Sequence, residues 1–226
     1  EWDCIFREYK NNKEAQEKYL DFLRNLLKDK PYVSLCYMTG ILPIKKYGTH
    51  SALNMFDEIS MVDPGLLPEF MGLTEKEVEN LCIKYDVSFE MMKQWYDGYR
   101  LTKEISVFSP RSVVASITRK KFDNYWTNTE TYEALRVYID MNYDGLKDEV
   151  VKLLAGEDVR INTDKFQNDM TTFKSKDDVL TLLIHLGYLG YNRENQKCYI
   201  PNKEVTSAFI NSIEAVSYTH LTLPTI

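Results

Sequence analysis

The chain has 226 residues, 44% of them hydrophobic and 27% charged, with a formal net charge of −6. This is an ordinary soluble globular composition, long enough to bury a real core, and its acidic balance excludes a general polyanion binder while leaving room for a local basic patch. No stretch reaches the roughly 18 apolar residues of a membrane span, no signal-peptide pattern opens the chain, and Cys4, Cys36, Cys82 and Cys198 are too scattered for a zinc site, so reduced thiols in a cytoplasmic protein with no membrane partner are expected.

Glu1-Trp2-Asp3 stands at the start, without an initiator Met. Lys13 to Lys28 follows as a predicted amphipathic helix, with Tyr19, Phe22, Leu23, Leu26 and Leu27 at i, i+3, i+4, i+7 and i+8. Asp29-Lys30-Pro31 ends it, because proline disfavours helical geometry in the residue before it. Tyr32 to Met38 is a short apolar run, read as a buried strand in an α/β unit with parallel pairing. Thr39-Gly40-Ile41-Leu42-Pro43 leaves that strand, and Lys45, Lys46 and Gly48 mark a polar loop.

From about residue 66 the rhythm becomes helical. Thr74-Glu75-Lys76-Glu77 is a capping box that predicts a helix to about Tyr85. Ser88 caps the next one, which carries Phe89, Met92 and Trp95 and stops at Gly98. Ser109-Pro110 opens a third, and Glu130–Tyr138 and Tyr143–Leu154 read as two more. Ser175 to Asp178 is a second capping box, opening a helix through Val179, Leu182, Leu183 and Leu186 that Gly187 ends. Tyr188–Tyr191 and Lys197–Ile200 flank a polar turn and predict a β-hairpin. A helix followed by a hairpin is the end of a winged-helix unit. The tail from about Ser217 fits none of this and looks like translated sequencing-adaptor read-through.

Few residues offer chemistry. A carboxylate pair such as Glu1 and Asp3, at the end of an apolar strand, is how P-loop ATPases hold Mg²⁺ and polarise the attacking water; two solvated acids are the plainer reading. Thr39 would place a hydroxyl in the crevice beyond a strand end, where α/β folds bind ligands, or simply precede a turn glycine. Lys45 and Lys46 would meet phosphate as mobile charges or stay solvated. Trp95-Tyr96-Asp97-Gly98-Tyr99 reads as core anchors around a turn, with Gly98 as a left-handed helix cap. His185 reads as a packed or edge histidine, and His50 has no obvious partner. The E-x-K spacing of Glu8 and Lys10 lacks the upstream acid of a nuclease site. None of the nine glycines is followed by lysine, so the chain has no G-x-x-x-x-G-K-[ST] phosphate loop and by itself should not hydrolyse ATP efficiently.

Several motifs occur in the order of one family: Glu1-Trp2-Asp3, Tyr37 to Ile44, Trp95 to Tyr99, Ser109-Pro110-Arg111-Ser112 and Tyr125-Trp126-Thr127-Asn128-Thr129. On these the chain resembles the AAA-ATPase-like family of bacterial proteins, in which a P-loop ATPase domain is usually followed by a PD-(D/E)-x-K nuclease-like domain. The resemblance runs from Glu1 to about Ile213. It implies an α/β fragment followed by a mostly α region. Residues 1–65 would be the C-terminal part of the P-loop core, 66–155 a helical lid, 156–215 a winged-helix-like α+β linker, and 216–226 a non-native tail. Glu1 would then be the catalytic acid that activates water, Asp3 would lie with it at the cofactor, and Thr39 would sense the γ-phosphate. ATP and Mg²⁺ are the cofactors of such an intact protein, and the fragment is not expected to hold either tightly. The family usually has Asn-Pro where this chain has Ser109-Pro110, and both cap a helix.

Two other readings remain. The winged-helix-like unit could bind nucleic acid or protein: Arg193, Lys197 and Lys203 favour phosphate, whereas Asp177 and Asp178 repel it. A degenerate domain that only holds its neighbours together is the third.

Overall fold

The computed structural model describes residues 1–9, 11–40, 55–126, 142–164, 166, 173 and 175–211. The loop around Lys45, Lys46 and His50, the helix expected at Glu130–Tyr138 and the tail lie outside them, as does Lys10. The described residues form a mixed α/β molecule with two small antiparallel three-stranded sheets.

Helices α1 (Cys4–Glu8) and α2 (Lys13–Leu27) open the chain. Asn12 caps α2 by accepting the Ala15 N–H at 3.0 Å, and Gln16 donates to the Tyr9 carbonyl at 2.9 Å. The buried face of α2 is Gln16, Leu20 and Leu23, while Phe22 and Leu26 are 57% and 41% exposed. The apolar stripe is therefore rotated from the one the periodicity predicts, toward the aromatic rings of Trp2 and Phe6 and the side chain of Met38.

Residues 32–38 form no strand. Leu35 is 88% and Tyr37 85% exposed, so the apolar run is not buried either. A parallel strand is held only by neighbouring strands and by layers on both faces. Among the described residues neither lies there, and no P-loop core is evident. This corrects the expectation of a parallel sheet.

In the middle region the helices expected after Thr74, Ser88 and Ser109 are present. Strand β1 (Leu73–Thr74) leads into α3 (Glu75–Tyr85), whose start is fixed by the Glu77 carboxylate accepting from the Thr74 N–H at 2.8 Å and from its hydroxyl at 2.7 Å. Those bonds hold the Glu77 carboxyl below its ordinary range. Ser88 caps α4 (Phe89–Tyr96), and Pro110 opens α5 (Pro110–Arg119). A small sheet that the periodicity does not announce joins them. Strands β2 (Tyr99–Arg100) and β3 (Ser106–Phe108) pair antiparallel, with β1 on the far side of β3. Val78, Met92, Tyr96, Phe108 and Val113 fill the core between sheet and helices.

The last region holds the deepest core. It comprises α6 (Leu146–Leu154), β4 (Val159–Arg160), α7 (Lys176–His185), the hairpin β5 (Gly190–Asn192) and β6 (Lys197–Tyr199), and the helical residues 203–211. The predicted capping box is present: Ser175 accepts the Asp178 N–H, and Asp178 accepts the Ser175 N–H at 3.1 Å. The sheet order is β4-β6-β5. Every residue from Val179 to Ile184 is buried, so α7 runs through the middle of this core rather than along its surface. Leu180 and Leu183 of this helix, and Leu146, Tyr188 and Phe209 around it, are fully buried, each worth about 1.5–3 kcal/mol against exposure. Glu149 of α6 ties the outside of the helices together, binding Lys176 at 2.5 Å and Lys152 at 3.2 Å, which holds its carboxyl below the ordinary range.

Candidate functional site

The structure brings the three sequence-predicted site residues into one place. The Trp2 N–H donates to the Thr39 carbonyl at 2.8 Å, laying Glu1-Trp2-Asp3 beside Thr39-Gly40 across almost forty residues of chain. Gly40 is required there. A β-carbon on it would meet the Trp2 indole at 2.5 Å and the Asp3 carboxyl carbon at 3.2 Å. Glu1 and Thr39 are exposed, whereas Asp3 is only 2% exposed and precedes the first turn of α1. Asp3 and Cys4 add to burial in raising the Tyr19 hydroxyl above its ordinary pKa.

A cavity of about 390 Å³ opens on this junction, with Trp2, Thr39, Gly40, Phe56, Asp57 and Glu58 in its lining together with His185 from the end of α7. The His185 ring stacks on Phe166, centroids 5.7 Å apart at 26°. Burial lowers its pKa from 6.5 to about 4, so the imidazole is neutral at pH 7. Packing explains the edge histidine of the sequence; its place at the Thr39 junction has no sequence signal.

Among the described residues no group of three or more His, Cys, Asp or Glu gathers in a way that could hold a metal ion. Glu1 and Asp3 are two carboxylates, a set that fits Mg²⁺ only when phosphate oxygens and waters supply the remaining ligands.

A second constellation explains the aromatic motif. Almost every residue from Trp95 to Arg100 reaches across to the C-terminal region. Lys203 lies over the Trp95 ring at 4.7 Å, and Asn202 donates to the Asp97 carbonyl at 2.9 Å. The Tyr199 hydroxyl donates to the Gly98 carbonyl at 3.1 Å and accepts the Arg100 N–H at 3.0 Å, while the Arg100 guanidinium covers the Tyr199 ring at 4.3 Å. The Tyr99 hydroxyl donates to the Gly187 carbonyl at 2.8 Å. Burial pushes the Tyr99 and Tyr199 hydroxyls above the ordinary tyrosine pKa, so both stay protonated donors. The Tyr96 side chain turns into its own core, where it donates to the Asp123 carbonyl at 3.0 Å, and the Asp97 carboxylate accepts the Ser106 hydroxyl at 2.7 Å.

Gly98 is not a left-handed helix cap. Asp97 ends α4 in extended geometry, and Gly98 has φ +109° with the Pro201 carbonyl packed where a β-carbon would sit. The close approach of two backbones selects glycine here.

Glu204 completes this seam and was not legible in the sequence. Its side chain is 1% exposed, and one oxygen accepts from the Ser112 hydroxyl at 3.0 Å, the Tyr125 N–H at 2.7 Å and the Trp126 N–H at 3.0 Å. Desolvation raises the carboxyl's pKa, partly offset by those same donors. The Asn124 side-chain amide adds a bond to the Glu204 carbonyl at 3.1 Å. Asn202 had a visible signal as the cap after Pro201; it accepts the Val205 N–H at 3.1 Å.

Compared with known proteins, the chain matches no family model, no curated protein and no solved structure. No helix of the described residues is long and apolar enough to cross a membrane.

Proposed function

We propose that these residues belong to an AAA-ATPase-like protein that binds and hydrolyses ATP to move its lid and winged-helix-like linker. In this reading Glu1 activates the attacking water, Asp3 stands beside it at the Mg²⁺–nucleotide, and Thr39 senses the γ-phosphate. ATP and Mg²⁺ supply the phosphoryl group and the charge neutralisation. The single observation that carries the reading is the 2.8 Å bond from the Trp2 N–H to the Thr39 carbonyl. In a P-loop ATPase the water-activating acid and the sensing hydroxyl stand at the ends of neighbouring segments, and here those ends are side by side. The β4-β6-β5 sheet with α6 and α7 also has the order of a winged-helix unit. Motion of the lid and linker would gate a partner or a C-terminal nuclease-like domain.

The seam sharpens the mechanism. The Trp95–Arg100 motif and Glu204 weld the lid to the linker, so the two move as one body and the displacement falls at the Thr39 junction.

The experiment is ATP turnover and nucleotide binding by a protein in which these residues follow a phosphate loop, compared with its Glu1→Gln variant. Turnover falling roughly 10²–10⁴-fold with binding retained is expected for loss of a general base. Equal turnover in both proteins would sink the role of Glu1.

The nucleic-acid reading is disfavoured by the seat of its working parts. Residues Val179–Ile184 of α7 have no solvent face, Arg193 is paired with Asp63 at 2.7 Å, and Lys203 lies on Trp95.

A further inference from the structure

From the cavity beside Thr39 we infer a binding site for an organic cation, an ammonium group carried on an apolar body. The site goes beyond the ATPase reading and does not depend on it. Neither Glu1 nor Asp3 is among the lining residues, so the cavity is not the Mg²⁺–nucleotide seat which that reading gives those two. Thr39 is common to both places, and its hydroxyl accepts as well as donates.

The charge of the lining has one sign. Asp57 and Glu58 line the cavity, and no Lys or Arg does. Burial holds His185 neutral at pH 7, so it brings no positive charge. A phosphate there would meet two carboxylates with nothing to offset them, whereas a cation finds a partner in each. The walls point the same way. Trp2, Tyr37, Phe56 and Phe70 line the cavity, and an aromatic ring face carries negative potential that attracts ammonium groups, that of tryptophan most strongly. Tyr37 and Phe70 are 85% and 74% exposed, so apolar area stands open beside the carboxylates and would cover the body of such a ligand. A volume of about 390 Å³ suits a small molecule. The lysine side chain of a protein segment carries the same chemistry, and the test separates the two sources.

The test is calorimetric titration of the full chain, without nucleotide, with phenethylammonium, with its uncharged counterpart phenethyl alcohol, and with the peptide acetyl-Gly-Lys-Gly-amide. The ammonium should bind about tenfold or more tightly than the alcohol. In Asp57→Asn, Glu58→Gln, both exposed positions, that preference should shrink to about threefold or less. Glu79→Gln, Glu90→Gln, an equal change of charge on exposed residues outside the cavity, should keep it whole. Alkylation by iodoacetamide places the ligand: Cys36 lines the cavity and Cys4 does not, and both are half-buried. Saturating phenethylammonium should slow the reaction of Cys36 and leave that of Cys4 unchanged. Tighter binding of the peptide than of the free amine makes the source a protein side chain; the reverse makes it a small molecule. Equal affinity for ammonium and alcohol, a full preference in Asp57→Asn, Glu58→Gln, or no protection of Cys36 overturns the inference. Should the double variant not fold, Phe70→Ala serves instead, and unchanged affinity for the ammonium in it overturns the inference equally. Failure of ATP turnover would leave the cation site standing.

Discussion

Across the seam between the middle and C-terminal regions, carbonyls and buried side chains meet at fixed distances: Tyr99 on Gly187, Tyr199 on Gly98 and Arg100, Asn202 on Asp97, and three donors on one oxygen of Glu204. The N-terminal region meets the rest of the molecule through a cavity, the packing of Met61 and Val62, and the Arg193–Asp63 pair, whose side chains are 66% and 48% exposed. An exposed pair is worth about 0–1 kcal/mol, whereas each buried donor left without its acceptor costs about 1–3 kcal/mol. The first boundary is the more firmly held of the two. Under the proposed ATPase reading, displacement would fall at the second, with the middle and C-terminal regions staying together.

The largest expected break is Glu204→Ala. It strands the Ser112 hydroxyl and the Tyr125 and Trp126 N–H groups in a buried site, and should cost about 3–5 kcal/mol in urea unfolding, at about 1–3 kcal/mol for each donor left unsatisfied. Glu204→Gln keeps the accepting oxygen and should cost about 1 kcal/mol or less. It also isolates the charge. Because the folded carboxyl has a raised pKa, the native protein should lose stability as pH rises above about 4.5 through the folded value, and Glu204→Gln should lack that slope. A slope identical in both proteins would mean that Glu204 is not the group responsible.

Gly98→Ala should come next, at about 2–4 kcal/mol, since it combines a positive φ with collision against the Pro201 backbone. Loss of stability without separation of the two regions in limited proteolysis would place its effect inside the middle region and weaken the welded-seam picture. His185 probes the softer boundary. Its folded pKa of about 4 lies below the ordinary 6.5, so the unfolded chain binds the extra proton. Stability should fall by up to about 3 kcal/mol as pH drops from 6.5 toward 4. That acid limb should be missing in His185→Gln.

Tyr99→Phe should cost about 1–2 kcal/mol by leaving the Gly187 carbonyl without its donor. At the other extreme, Phe22→Ser on the exposed side of α2 should change stability by no more than about 0.5 kcal/mol, although the periodicity of the sequence places Phe22 in the buried stripe. A cost above 2 kcal/mol would show that this face is covered.

Much of the fold was legible because the signals were local. Thr74 and Ser175 with their partners three residues on, Ser88, Pro110 and the two apolar runs around a polar turn fixed the helix starts and the hairpin, since each satisfies backbone groups within one turn of chain. Glu1, Asp3 and Thr39 were legible as candidates by residue type alone; their meeting depends on a bond between positions far apart in sequence. The apolar run 32–38 was misread because hydrophobicity identifies what could be buried, and only neighbouring strands make a strand of it. On α2 the expected Tyr19, Leu23 and Leu27 pack inward while Phe22 and Leu26 do not, because the rings of Trp2 and Phe6 choose which face is covered.

By itself, then, the sequence determined helix boundaries, the hairpin, and a small set of residues capable of chemistry, all of which follow from interactions within a few residues. Tertiary structure alone decided that α6 joins the core of α7, that Trp95 to Arg100 clasps a second region, that Glu204 is buried under three donors, and that His185 lines one cavity with Thr39. Those facts depend on backbones and side chains brought together from dozens of residues apart, and long-range burial leaves no periodic mark in the chain that undergoes it.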